Sequence, residues 1–287
     1  MNEMNLYQLS PIQQNVLIAG IMGDGEITKI YKNSRRKNNS YREHYGQAQE
    51  KYREWKQLLL PDLLYFNKKS HTLCSRSLPL FTQLYPHFYN SKNQKQVPEK
   101  LLPTCTLPHF LAVLYMDDGT LSITKRINHT KKRIYLTPSI MLALQCFPVC
   151  ELNLLQKHIH NTFNYSFKLC STPSGYGYML RFASVQHTFS FLNYISPVTN
   201  TCPSMFYKTN WDWRYNEEKQ LLLEQYPNYE IIASSSDRCR SYSSEEINCI
   251  LILHKKGESI SNIARAINRT YWSVVYKLRE LKEKKLL

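Results

Sequence analysis

Two similar nine-residue stretches constrain this chain more than any other feature of its sequence. Residues 17–25 read LIAGIMGDG and residues 111–119 read LAVLYMDDG. Each is an apolar run of helical length that ends in an aspartate and a glycine, and 94 residues separate Asp24 from Asp118. A repeat at this spacing predicts a duplicated fold in which the two helices occupy equivalent places.

The two aspartates predict a cation site. Each helix would place a carboxylate at its C-terminal end, where the helix dipole is negative and an anion is unfavourable. Two such ends side by side would also raise each other's pKa values. A divalent cation between Asp24 and Asp118 would relieve this conflict, and carboxylate oxygens are ligands suited to Mg²⁺. The alternative is a pair of buried helices with acidic caps, which explains one copy well and two copies poorly.

The charge balance indicates a polyanionic partner. The chain has 37 basic and 22 acidic residues, for a net charge of +15, which favours nucleic acid. An anionic membrane is the rival partner, but the sequence has no basic amphipathic helix with a clean apolar face. No apolar run approaches the roughly 20 residues that span a bilayer. No basic residue precedes Lys29, so a secretory signal is not expected.

The eight cysteines predict a reducing compartment. They are scattered and form no Cys-x-x-Cys pair. Cys146 and Cys150 with His158 and His160 come nearest to a zinc cluster, but reduced, partly buried thiols are the better interpretation. We therefore expect an intracellular protein, with a bacterial or phage-infected cytoplasm favoured over an organelle matrix.

A common order of elements follows each motif. In the first half we predict strands 27–31 and 41–49, helix 50–60, a hairpin over 64–76 and helix 78–89. In the second half we predict strands 120–126 and 133–138, helix 150–163, strands 166–172 and 177–182, and helix 185–195. The fold class is therefore α+β, a pseudo-twofold duplication of an αββαββα unit whose two sheets face the same way.

The predicted strands and turns are strongly basic. Residues 27–42 hold six basic residues and no acid, and the turn KRINHTKKR holds five and no acid. Such hairpins fit the major groove of DNA, although a solvated hairpin tip is the alternative. The candidate DNA contacts are Lys29, Lys32, Arg35, Arg36, Lys37, Arg42, Lys68, Lys69, Arg76, Lys125, Arg126, Lys131, Lys132, Arg133 and Arg181.

The motif pair resembles that of the LAGLIDADG homing endonucleases in their single-chain form. Met22 and Met116 replace an aspartate of the family motif that is not a metal ligand. The resemblance implies that Asp24 and Asp118 bind Mg²⁺, with Mn²⁺ as a substitute, and that the backbone carbonyls of Gly23 and Asp117 assist. It implies a monomer that makes a metal-dependent double-strand break in a long DNA target. An intron-RNA maturase or an inactive DNA-binding regulator of the same fold stays open.

The resemblance extends to two lysines that composition alone would not single out. A single-chain member of the family has catalytic-site lysines in a Lys-x-hydrophobic-Pro segment and after a Met-x-Tyr sequence. These match Lys95 in KQVP and Lys208 in SMFYK. Gln49 is a further candidate, for positioning a water molecule. On this basis the first half covers residues 1–103, the second half 104–213, and a linker 214–242.

Residues 243–287 predict a separate helix-turn-helix module. SSEE starts one helix, SISNIARAI forms a second, and Thr270 caps a third. Its similarity to trihelical DNA-binding modules implies that the third helix enters the major groove. Its candidate contacts are Tyr271, Trp272, Ser273, Lys277 and Arg279. A helical bundle that binds another protein is the alternative.

Overall fold

A computed structural model describes residues 5–172, 175–182, 184–234, 242–284 and 286–287. The chain divides into two compact units, residues 1–235 and residues 236–287. The first unit contains the duplicated α+β fold, and the second is all-helical. Within the described residues, no helix is long and apolar enough to cross a membrane.

The first half is built around a motif helix. Ser10 caps it, because the Ser10 hydroxyl accepts from the Gln13 amide while the Gln13 side chain accepts from the Ser10 amide. The elements in order are α1 (Pro11–Met22), β1 (Glu26–Ile27), β2 (Tyr41–His44), α2 (Glu50–Leu59), β3 (Leu64–Asn67), β4 (Thr72–Ser75) and α3 (Pro79–Phe88).

The first sheet is antiparallel with strand order β1-β2-β4-β3. Its first two strands are shorter than the sequence predicted: β1 has two residues, and β2 ends at His44. The loop between them is held instead by side chains, since Arg36 Nη1 donates to Thr28 Oγ1 at 3.0 Å and to Ser40 Oγ at 2.9 Å. Gln49, expected at a strand end, lies in a 3₁₀ turn that leads into α2.

The second half repeats this order with longer strands. Its elements are α4 (Pro108–Asp118), β5 (Gly119–Asn128), β6 (Arg133–Leu142), α5 (Val149–Phe163), β7 (Lys168–Ser171), β8 (Tyr178–Phe182) and α6 (Val185–Thr199). The sheet order is β5-β6-β8-β7. The same order in both halves confirms the predicted α+β duplication.

The segment predicted as a linker, residues 214–242, needs a correction over its first part. Helices α7 (Phe206–Thr209) and α8 (Trp211–Gln225) are followed by β9 (Glu230–Ala233), which pairs in parallel with β6. Leu222 and Ile231 are buried against Ile134 and Leu136 of β6. Because this burial removes apolar surface from water, the segment completes the second sheet rather than spanning a gap.

The two motif helices pack against each other at the centre of the first unit. From Val16 to Met22 and from Phe110 to Met116, every side chain is buried, so neither helix has a polar face. A helix that is apolar all round belongs in a core. This packing fixes where the C-terminal ends of α1 and α4 lie.

Gly25 is expected to tolerate no side chain. A Cβ atom there would lie 2.4 Å from Tyr41 Oη and 2.5 Å from Tyr41 Cε2, and Tyr41 is buried. Gly25→Ala should therefore lower the free energy of unfolding by about 1–3 kcal/mol, as overpacked cores do. Gly46→Ala is the matched control, because its Cβ would meet nothing within 4 Å. Denaturant unfolding measures both, and equal stabilities would contradict the packing described here.

The second unit is a small three-helix domain. Its helices are α9 (Ser244–Lys255), α10 (Ile260–Ala266) and α11 (Tyr271–Glu283). Ser243, Ser259 and Thr270 cap them in turn with their hydroxyls. The core consists of Ile250, Ile263, Ala264, Ile267, Val274, Leu278 and Leu281. The helices begin and end close to the predicted positions.

Candidate active site

The ends of the two motif helices touch. The Asp24 amide donates to Asp117 Oδ2 at 3.3 Å, across the boundary between the halves. A Cβ atom on Gly23 would lie 2.5 Å from that same oxygen, so only glycine leaves room for the Asp117 side chain. Asp118 follows Asp117 directly, and it lies close enough to Asp24 for the charge of Asp24 to raise its pKa.

The electrostatics of these ends favour a bound cation. The pKa of Asp118 is raised to about 7, first by burial and then by the nearby charges of Asp117 and Asp24, while Lys95 and Lys208 oppose the rise. Asp24 is partly exposed, with 31% of its side chain accessible. A buried carboxylate whose pKa is raised by neighbouring carboxylates, together with a carboxylate open to solvent, is a donor set that fits a hard divalent cation.

At the C-terminal end of each motif helix, one lysine donates hydrogen bonds to backbone carbonyls, and the two arrangements are related by the pseudo-symmetry of the halves. Lys95 Nζ donates to Gly23 O at 2.7 Å and to Gly25 O at 3.0 Å. Lys208 Nζ donates to Met116 O at 2.7 Å and to Asp117 O at 3.0 Å.

Each ammonium group thus satisfies the last carbonyls of its own half's motif. Burial lowers the pKa of both lysines, and the motif aspartates oppose this effect. The two carbonyls predicted as metal ligands, those of Gly23 and Asp117, accept hydrogen bonds from these lysines.

A buried group of charged side chains lies beneath Asp24. Arg53 Nη2 donates to Asp24 Oδ2 at 2.6 Å, and Arg53 Nε lies 2.9 Å from Glu43 Oε1. Lys56 Nζ donates to Glu43 Oε1 at 2.7 Å and to the Asp117 oxygens at 2.9 and 3.0 Å. The side chains of Glu43, Arg53, Lys56 and Asp117 are fully buried. Two cations therefore balance two anions without help from solvent.

Two tyrosines complete this group. Tyr52 Oη donates to Asp117 Oδ1 at 2.6 Å, and Tyr41 Oη donates to Glu43 Oε2. Burial, followed by the charges of Glu43 and Asp117, raises the pKa of both phenols, so they remain neutral donors. We call Tyr41, Glu43, Tyr52, Arg53, Lys56 and Asp117 the buried ion network.

Asp24, Glu43 and Asp117 offer carboxylate oxygens within 4.8 Å of one another. This proximity alone does not make them a metal site. Glu43 and Asp117 are already neutralised by Arg53 and Lys56, and a divalent cation would have to displace buried charges to reach them. Asp24 is the one member of the three whose carboxylate is open to solvent.

Sequence reasoning missed Arg53 and Lys56. A signal was present, because α2 buries Tyr52, Arg53, Trp55 and Lys56 on one face. Charged residues at the core-facing positions of an amphipathic helix indicate buried partners. Gln49, which was predicted, lies one turn before Arg53, and its Oε1 is 3.4 Å from Arg53 Nη2. Gln49, Arg53 and Lys95 line the cavity beside Asp24.

The predicted DNA contacts fall into three groups. Those that are exposed are Lys29, Lys32, Arg35, Arg36, Lys37, Lys68, Lys69, Arg76, Arg126, Lys131, Lys132 and, on α11, Tyr271, Trp272 and Arg279. Four others are paired with carboxylates: Arg42 with Glu26, Lys125 with Glu218, Arg133 with Glu230 and Lys277 with Glu280. Arg181 and Ser273 are partly buried. The role of each in binding stays a prediction.

A duplicated α+β fold with two acidic helix ends and two flanking lysines defines a nuclease-like centre. A family model described as the LAGLIDADG DNA endonuclease family matches residues 14–189. The chain belongs to that family, which confirms the resemblance seen in its motifs.

Three solved structures are similar to this chain, and the first of them supports the fold. The homing endonuclease I-WcaI, bound to its DNA recognition sequence, is 21% identical to this chain with a TM-score of 0.53. The match covers 72% of this chain and 88% of the I-WcaI chain. The I-LtrWI LAGLIDADG homing endonuclease bound to target DNA is 12% identical with a TM-score of 0.41. The match covers 77% of this chain and 91% of the I-LtrWI chain. I-SmaMI, bound to its uncleaved DNA target in the presence of calcium ions, is 12% identical with a TM-score of 0.41. The match covers 77% of this chain and 93% of the I-SmaMI chain. A comparison with curated proteins found no match.

Proposed function

We propose that this chain is a site-specific homing endonuclease that makes a metal-dependent double-strand break in a long DNA target and is encoded in a mobile intron. Family membership supports DNA hydrolysis. The observation that carries the proposal is the contact between the ends of the two motif helices. There the Asp24 amide donates to Asp117, the neighbour of Asp118, and each end is bound by its own lysine.

The proposed chemistry divides between the cation and the chain. Asp24 and Asp118 would hold Mg²⁺ or Mn²⁺, and such ions supply an activated water and stabilise the leaving oxygen of a phosphodiester. Lys95 and Lys208 would place positive charge where negative charge develops on the phosphate. Gln49 would orient the attacking water by a hydrogen bond, and Arg53 would hold the Asp24 carboxylate.

The proposed DNA interface consists of the two sheets. The exposed lysines and arginines of both halves would neutralise phosphates on either side of the site, which binds DNA tightly at low salt. Side chains on the strands would read base edges in the major groove. A duplex placed across both sheets would bring its phosphates to Asp24 and Asp118.

The test uses a DNA duplex that spans the intronless insertion site, in which the two sequences on either side of the intron are joined. With Mg²⁺ the purified protein should cut this duplex on both strands, and EDTA should stop the reaction. A duplex of scrambled sequence is the control for specificity. Intact DNA together with tight binding to the intron RNA would contradict the proposal and favour a maturase.

We further propose that residues 243–287 form a second DNA-binding module. Tyr271, Trp272 and Arg279 are exposed on α11, and aromatic and basic side chains of this kind suit contacts with bases and phosphates. Deleting residues 243–287 should weaken binding by about 100-fold through lost avidity and lower the slope of affinity against salt. Nicking should remain at saturating protein, measured by gel assay. If cleavage vanishes at saturation, this module belongs to the nuclease itself.

A further inference from the structure

Strand β9 lies beyond the part of the chain that the family model matches. That match ends at residue 189, whereas β9 covers Glu230–Ala233. β5 pairs with one edge of β6 along its whole length, and β8 pairs with the other edge only at Ile140–Leu142. β9 pairs with that second edge farther along, from Arg133 to Leu136. Without β9, this distal part of the sheet would be a two-stranded ribbon, which is marginally stable on its own.

β9 also adds side chains to one face of the second sheet. Ile231 is buried against Ile134 and Leu136. Because side chains alternate along a strand, the neighbours of Ile231 lie on the opposite face. The contact between Arg133 Nε and Glu230 Oε2, at 2.7 Å, is on this opposite face, which we call the outer face. The outer face carries Thr124, Arg126 and Asn128 of β5, Arg133, Tyr135 and Thr137 of β6, and Glu230, Ile232 and Ser234 of the β9 segment.

The row of the outer face that contains Arg133 and Glu230 lies far from the motif aspartates. Arg133 pairs with Asn128, which is ten positions along the chain from Asp118. A strand rises about 3.4 Å per residue, and less where it is twisted, so this row lies roughly 30 Å along the sheet from Asp118. Since a duplex rises about 3.4 Å per base pair, the row would face base pairs about nine positions from the cut.

Arg133 and Glu230 form an ion pair that remains accessible. Their side chains are 44% and 59% exposed, and Arg133 also donates a hydrogen bond to Tyr135. Because the two charges neutralise each other, the pair adds little to the general attraction for phosphates. A guanidinium group has five N–H donors in a rigid fork. Glu230 and Tyr135 hold this fork in place, and its geometry suits paired hydrogen bonds to O6 and N7 of guanine.

Resting on the proposed function, we propose that Arg133 reads a guanine near one end of the target and that β9 sets this specificity by supplying Glu230. Glu230 is a positioning residue, because it acts through Arg133. The first sheet has the order β1-β2-β4-β3, with no counterpart of β9 among the described residues. The effect therefore belongs to the end of the target that the second half binds.

Competition binding in EDTA tests this reading of the target. The competitors are copies of the insertion-site duplex in which one base pair at a time is replaced. The wild-type protein should prefer one G·C pair, about nine positions from the cut, by about tenfold or more. Arg133→Lys keeps the charge but loses the fork, so it should reduce this preference to about twofold or less and leave the salt dependence of binding unchanged. Glu230→Gln should reduce the preference at the same base pair.

Glu224→Gln, which changes an exposed glutamate of α8, is the matched control and should alter no preference. If Glu230→Gln raised the affinity for every duplex equally and kept the G·C preference, Glu230 would only mask a charge, and the proposal would be overturned. Equal weakening on every duplex would show a merely structural role, with the same consequence. A wild-type protein indifferent to the outer base pairs would also overturn it. A protein that neither binds nor cuts the insertion-site duplex would instead contradict the proposed function, so the two failures are distinguishable.

Discussion

Asp24→Asn and Asp118→Asn are each expected to lower double-strand cleavage by at least about 10³-fold. A bound cation supplies several kcal/mol of transition-state stabilisation, and each 1.36 kcal/mol is a factor of ten in rate. Neither variant should weaken DNA binding, because each removes a negative charge close to the phosphates. The measurement is single-turnover cleavage of the target duplex with Mg²⁺, beside a gel-shift titration with Ca²⁺.

The control for this pair is Asp62→Asn. Asp62 is exposed and has a left-handed backbone with φ of 63°, which asparagine also adopts. This variant should cut at the wild-type rate. If Asp118→Asn kept cleavage within tenfold of wild type, a cation shared by the two motif aspartates would be excluded.

Lys56→Met is expected to lower the free energy of unfolding by about 3–5 kcal/mol. The ammonium group of Lys56 bridges Glu43 and Asp117, and all three side chains are fully buried. Methionine fills a similar volume, so the loss comes from two carboxylates left with one buried cation, Arg53, rather than from a cavity. Urea unfolding, with the slope checked for constancy, measures the change.

Lys51→Met on the same helix is the matched control. Lys51 is exposed, and its replacement should change stability by less than about 0.5 kcal/mol. In the double variant Lys56→Met/Asp117→Asn the loss should be smaller than the sum of the single losses, since both changes remove the same ion pair. A Lys56→Met protein as stable as Lys51→Met would mean that the buried ion network carries no net stabilising charge pairing.

Local pattern was sufficient to predict the duplicated framework. Each motif helix begins with proline in its first turn and contains an apolar run, from Val16 to Met22 and from Phe110 to Met116. Such signals are carried by residues close together in the sequence. Most helices of the second half end within a few residues of the prediction for the same reason. The lengths of strands β1 and β2 were overestimated. The polar run from Thr28 to Ser40 is held by side-chain hydrogen bonds, which the alternation of apolar and polar residues does not predict.

Long-range contacts explain what the sequence could not predict. Lys56 meets a carboxylate 61 positions away, at Asp117, and β9 pairs with a strand that ends nearly 90 positions earlier. Neither partner is encoded in local spacing. Lys95 and Lys208 were predicted from the family resemblance alone. Composition could not distinguish them from the other lysines and arginines, which number 37 in all. The structure places both beside the motif carbonyls.

The central claim is that Asp24 and Asp118 share a divalent cation beneath a bound duplex. A crystal structure of the protein on its target DNA with Ca²⁺ in place of Mg²⁺ tests this directly. We expect an ion with carboxylate oxygens of both Asp24 and Asp118 within about 2.3–2.6 Å. An ion held instead by Glu43 and Asp117, or an ion in contact with neither motif aspartate, would contradict the account.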